Sequence, residues 1–150
     1  MKRLRVYIDT SVVGGCRDEE FMEESQALLD MAREGDVLLL VSDVLADELE
    51  GVPEDVQQAL GEMPPACLEA VSRSAEAERL RNCYLEAGVV GIAQKNDAYH
   101  VALATVAGAD VLVSWNFHHI VHFDKIRGFN AVNLREGYRT IEIHSPKEVV

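Results

Sequence analysis

Two almost wholly apolar runs, Val37–Val41 (VLLLV) and Val111–Ser114 (VLVS), constrain the fold of this chain more than any other feature. Each has the length of a strand and lacks polar alternation, the pattern of a strand covered on both faces in a parallel sheet. Leu4–Asp9 (LRVYID) adds a short strand of β-branched and aromatic residues closed by an acid. Thr10, Ser11, Gly14 and Gly15 then read as a loop.

Between these runs lie helices. Phe21, Leu28, Leu29 and Ala32 recur at roughly helical spacing and predict a helix over about Asp18–Glu34, stopped by Gly35. Ser42 is placed to cap a helix that starts at Asp43, and Pro53 to open another through about Leu60, with Pro64-Pro65 beyond it. Ala66–Val71 reads as extended. Ser72 or Ser74 caps a helix over Ala75–Ala87 before Gly88, and Asn96 caps one over Asp97–Ala107 before Gly108. Trp115–Val121 reads as a short helix or turn, Phe129–Leu134 as a late strand and Thr140–Ile143 as an extended tail. Strands alternating with helices predict a three-layer α/β/α fold with a mainly parallel central sheet, as one domain over 1–150.

Composition narrows the class. Of 150 residues 48% are hydrophobic and 27% charged, which is globular composition. No run approaches the roughly 20 apolar residues of a membrane span, and no signal-peptide core follows the basic residues at the start. Cys16, Cys67 and Cys83 form no metal-ligand spacing, so free thiols in a reducing, cytoplasmic setting are expected. The net charge of −12 is unevenly spread: residues 18–70 carry 16 acids against the single base Arg33. A chain this acidic binds nucleic acid poorly without a local basic patch or a bound cation.

In an open parallel sheet chemistry collects beyond the carboxyl ends of the strands. Asp9 closes the first strand, Glu48 lies in the helix after the second, Asn116 lies two residues past the apolar core of the third, and Asp97 opens a helix long enough to span back over the sheet. Clustered carboxylates repel, and a hard divalent cation such as Mg²⁺ or Mn²⁺ removes that cost. Such a cation polarises a phosphoryl oxygen and activates water, the chemistry of phosphodiester hydrolysis. Each residue also has a plain structural use: Asp9 in a turn, Glu48 on a solvated face, Asp97 at a helix N-terminus and Asn116 as a turn former.

YIDTSV at Tyr7–Val12, SDVLADELE at Ser42–Glu50 and NDAYHVALATVAGADVLVSWNFHHIV at Asn96–Val121 resemble the PIN domain, with the VapC-like ribonuclease toxins and PilT N-terminus-like proteins similar in pattern. The resemblance runs from about Leu4 to Leu134. It implies a Mg²⁺- or Mn²⁺-dependent nuclease acting on single-stranded RNA, with Asp9, Glu48 and Asp97 as the acids and Thr10 or Ser11 supporting the metal shell. The family's fourth acid follows the later strand in a T-x-D or S-x-D pattern. Here that pattern reads Ser114-Trp115-Asn116, so Asn116 offers a neutral oxygen in place of a charge. Asp110 and Asp124 are weaker substitutes. A small antitoxin partner and a homodimer are implied as well.

His100 shares a helical face with Asp97, as a substrate or water contact or as a packed histidine. His118, His119 and His122 read as surface or phosphate contacts. Trp115 reads as packing or as a base-stacking surface. Arg79, Arg81 and Lys95 are candidates for an RNA-binding rim, or solvated helix faces. The alternative to a nuclease is a degenerate PIN domain that binds RNA or protein without cutting. A phosphatase or receiver domain fits poorly, because Asp9 lacks a DxD partner and no lysine follows the later strand.

Overall fold

A computed structural model describes residues 2–150. Five strands, β1 (Leu4–Ile8), β2 (Val37–Ser42), β3 (Leu68–Val71), β4 (Val111–Val113) and β5 (Glu142–His144), form one parallel sheet in the order β3-β2-β1-β4-β5. The register places Tyr7 beside Leu40 on one flank and beside Leu112 on the other. Val6, Tyr7 and Ile8 are all fully buried, so this half of β1 is covered on both faces. This explains the absence of alternation in the apolar runs.

Helices cover both faces. Tyr7, Leu40 and Leu112 pack with Leu80 and Tyr84 of α5 (Ala75–Glu86), Val101 and Leu103 of α6 (Lys95–Val106), and Phe129 and Val132 of α7 (Phe123–Arg135). Val6, Ile8, Leu39 and Val113 face the other way. They meet Val12 and Val13 of α1 (Thr10–Gly15), Leu28 and Leu29 of α2 (Met22–Arg33), Leu45 and Leu49 of α3 (Asp43–Leu49) and Val56 of α4 (Glu54–Gly61). A last turn, α8 (Pro146–Val149), carries a Ser145–Glu148 capping box. The α/β/α layering expected from the sequence is present, and the sheet is wholly parallel.

Ser42 caps α3 by accepting the Leu45 N–H at 3.2 Å, and Ser74, not Ser72, caps α5. Gly35 stands at φ +84° and Gly88 at +72°, where the predicted helix stops need a left-handed residue.

Three segments differ from expectation. Thr10–Gly15 is helical, not a loop, because the turn buries Val12 and Val13 against the sheet and tertiary packing overrides two glycines. Phe129–Leu134 is not a strand. It belongs to α7, whose buried Phe129, Val132 and Asn133 follow the i, i+3, i+4 spacing of a helix. Asn96 lies inside α6, which starts at Lys95 after a short 3₁₀ turn over Ile92–Gln94.

Gly15 is a close-approach position. A Cβ there would sit 2.4 Å from Ser25 Oγ and 2.8 Å from Trp115 Nε1, the two ends of a buried hydrogen bond. Gly15→Ala is expected to cost about 1–3 kcal/mol, read as a lower denaturant midpoint at unchanged slope. An unshifted midpoint would show that this contact relaxes freely.

Candidate active site

β1 and β4 are neighbours, yet the chain leaves β1 toward β2 on one side and returns through β4 on the other. Their carboxyl ends flank a topological switch point, where an open parallel sheet offers a crevice. Asp9 follows β1 and Ser114 follows β4, both buried.

The Asp9 carboxylate is held on both oxygens. Ser11 Oγ donates to Oδ1 at 2.6 Å, and Ser114 Oγ donates to Oδ2 at 2.6 Å. Each serine oxygen in turn accepts a backbone N–H, Ser11 from Trp115 and Ser114 from Asn116, both at 2.9 Å. These N–H groups occupy serine lone pairs and leave the hydroxyl protons for the carboxylate. The Asp9 carboxylate is therefore fixed in place by α1 and by the chain leaving β4.

Asp97 lies in the first turn of α6, half-buried. Burial lifts its carboxyl above the ordinary aspartate range, and the negative charge of Asp9 adds to the lift. His100, His119 and the Asn116 amide oppose it. Two carboxylates are thus close enough to penalise one another, the condition a cation relieves.

Glu48 is clamped. Its Oε1 accepts the Thr10 hydroxyl at 2.7 Å and meets His100 Nε2 at 2.7 Å. A carboxylate only accepts, so Nε2 is the donor. Behind it, His100 Nδ1 lies 2.7 Å from Tyr7 Oη, and Tyr7 donates to Ser42 Oγ at 2.8 Å. Burial pushes the Glu48 carboxyl up, but the His100 bond and charge with the Thr10 hydroxyl outweigh it, and the group sits below its ordinary value. Oε2 carries neither of these bonds. His100 is buried and touches no surface. Its position is that of a packed histidine that orients Glu48.

The Asn116 side chain is engaged locally. The His119 backbone N–H, which only donates, binds Asn116 Oδ1 at 2.9 Å and turns the amide nitrogen toward Asp97. The side chain closes a turn and stabilises charged Asp97.

Of the basic residues expected to form an RNA rim, two are already paired. Arg79 pairs with Glu136 of α7 at 3.0 Å. Arg81 pairs with Glu78 and lies over the Tyr99 ring. Lys95 is exposed at the start of α6, near Asp97 in the chain. Asp110 is structural, accepting the Arg5 backbone N–H at 2.8 Å, and Asp124 is exposed on α7. Trp115 is buried: it stacks on Phe21 at 4.3 Å and donates to Ser25, so it has no face for a base. Cys16 is buried and burial raises its thiol, in keeping with a packing role.

Sequence reasoning missed Tyr7 and Ser42 behind His100, since each reads locally as strand or cap. His119, expected as a surface or phosphate contact, also lies close enough to Asp97 to favour its charged form.

The side chains that could hold a cation here, Asp9, Asp97 and Glu48 through Oε2, would all offer oxygen. Such a set suits Mg²⁺ or Mn²⁺ better than a soft metal. Among the described residues, no three Asp, Glu, His or Cys side chains already close on one point. The mutual repulsion of Asp9 and Asp97 supports the fit.

The sequence profile of the PIN domain matches residues 5–118, and the chain belongs to that family. No curated protein matches it. Among solved structures, VapBC2 from Rickettsia felis, bound to a DNA fragment from its promoter, is similar at 15% identity. The match covers 95% of this chain and 98% of that one, with a TM-score of 0.60. The sarcin-ricin-loop-cleaving toxin VapC20 of Mycobacterium tuberculosis is similar at 12% identity, covering 91% and 98%, with a TM-score of 0.56. At such identities these neighbours share the fold, and they are VapC toxins.

Proposed function

We propose that the chain is a Mg²⁺- or Mn²⁺-dependent endoribonuclease that cuts single-stranded RNA, the toxin of a VapBC-type pair. The observation that carries this reading is the hydroxyl-clamped Asp9 beside Asp97 at the β1–β4 switch point. Asp9 and Asp97 would hold the cation, with Glu48 completing the set through Oε2. When bound, the cation neutralises the phosphate and lowers the pKa of water. Ser11 and Ser114 keep Asp9 oriented. Thr10 and His100 hold Glu48 in one rotamer, and Asn116 favours the charged form of Asp97.

The test is cleavage of single-stranded RNA with Mn²⁺, with EDTA as the control. Persistence of full activity in EDTA would refute metal dependence. The partner on this reading is a small antitoxin, and the enzyme works in the cytoplasm as a homodimer. Among the described residues no helix is long and apolar enough to cross a membrane. The 16 acids of residues 18–70 suit a basic antitoxin tail, so the complex is expected to weaken with salt. Salt-independent affinity would count against that surface.

One observation favours a non-cutting relative: Asn116 supplies no charge, and its carbonyl already serves His119. The two readings separate in calorimetry. A working site binds Mn²⁺, and Asn116→Asp is expected to tighten binding about tenfold or more, since a full charge is added beside a dication. Absence of Mn²⁺ binding at millimolar metal, in wild type and variant alike, would favour the binding module.

A further inference from the structure

A chain of net charge −12 with paired acids at its proposed centre needs a local means of holding RNA. The segment leaving Asn116 supplies one. Residues 117–127 contain two phenylalanines, three histidines, Lys125 and Arg127 against the single acid Asp124. Phe117 is 46% exposed and Phe123 71%, although neighbouring Trp115 and Ile120 are buried. Phe117 stands edge-on against Trp115, with ring centroids 6.2 Å apart, so a buried indole fixes it. The Arg127 guanidinium lies 5.4 Å over the Phe123 ring and steadies it from one side.

The backbone brings both rings to the candidate site. The N–H of Val121 bonds the Asn116 carbonyl at 2.8 Å and that of Ile120 bonds it at 3.2 Å, closing the loop on itself. Phe123 lies two residues beyond the closure, so its Cα is within roughly 12 Å of Asn116. Phe117 adjoins Asn116 directly. Two exposed aromatic residues, one backed by a cation, thus lie on the segment that leaves Asn116.

The geometry points to Phe117 and Phe123 as stacking platforms for unpaired bases on either side of the cleaved phosphate. This rests on the nuclease reading and deepens it, because it gives a physical reason for a single-stranded substrate: bases paired in a duplex present no free face. Trp115, the aromatic residue that sequence alone suggested for this role, instead supports Phe117 from below. Stacking on aromatic side chains tolerates any base, so these residues set strandedness and not sequence preference.

The test is binding of a short single-stranded RNA carrying 2-aminopurine, with Ca²⁺ in place of Mn²⁺, followed by cleavage with Mn²⁺. Wild type is expected to change the 2-aminopurine emission on binding. Phe117→Ala and Phe123→Ala are each expected to weaken binding by roughly 5- to 150-fold and to reduce the emission change. Phe123→Leu, which keeps apolar bulk without a flat face, should resemble Phe123→Ala, and Phe123→Trp should restore both signals. Duplex RNA should bind the variants and wild type alike.

Wild-type cleavage with unchanged KM and emission in both alanine variants would overturn the stacking role and leave the nuclease reading intact. Base-dependent emission changes without any Mn²⁺-dependent cleavage would support the stacking surface and sink the nuclease reading. No binding of single-stranded RNA by wild type would overturn the proposal.

Discussion

Asp97→Asn is expected to lower RNA cleavage by on the order of 10²–10³-fold while making the metal-free protein more stable. The activity loss follows from removing a cation ligand at a site where the metal supplies several kcal/mol of charge stabilisation. The stability gain follows from the raised pKa. Burial and the Asp9 charge both disfavour ionised Asp97 in the folded state. The native state therefore binds the proton more tightly than the unfolded chain. Its contribution to stability is complete below the ordinary aspartate pKa and is lost as pH rises through the folded value. Asparagine removes that loss at neutral pH. Thermal unfolding in EDTA is expected to show a higher Tm for the variant, and added Mn²⁺ should stabilise wild type more than the variant. A lower Tm in EDTA would mean that charged Asp97 is held by favourable contacts and is not a strained carboxylate awaiting a cation.

Trp115→Ala is expected to cost about 3–5 kcal/mol, the largest stability effect of any single substitution considered for this chain. Trp115 is buried, stacks on Phe21 and donates its indole N–H to Ser25, so truncation opens a cavity and orphans a buried hydroxyl. Its backbone N–H also supports Ser11, which holds Asp9, so loosening this segment disturbs the site as well as the core. Since this is the only tryptophan, unfolding of the variant has to be followed by circular dichroism. A midpoint near wild type would show that Phe21 and Phe117 refill the space.

The strands were legible because burial on both faces leaves a strong mark: Val37–Val41 and Val111–Val113 have no polar residue to place outward. Caps such as Ser42 and Ser74, and left-handed glycines at 35 and 88, were legible because the helix ends demand them. The α1 turn was not, since glycine signals a loop locally and only packing against Ile8 and Trp115 makes it helical. α7 was misread because Phe129–Leu134 is short and apolar-rich, and its period shows only when Phe123–Ile126 is read with it.

At the site, the individual acids were nameable from strand ends and from the resemblance. Their relations were not: that Asp9 is held by serines from two distant segments, or that His100 reaches back to Tyr7, depends on contacts across about a hundred residues of chain. The Asn116 side chain was expected to offer its oxygen outward, and the backbone N–H of His119 claims it. Asn favours local side-chain-to-backbone turn bonds of this kind.

The most direct measurement is the rate of single-stranded RNA cleavage by purified protein with Mn²⁺, run beside Asp9→Asn and an EDTA control. The prediction is cleavage by wild type, none in EDTA, and a loss of at least about 100-fold in Asp9→Asn, which keeps the size of the side chain but removes its charge and one of the two clamped oxygens. Equal rates in wild type and Asp9→Asn would contradict the assignment of this carboxylate as the centre of the chemistry.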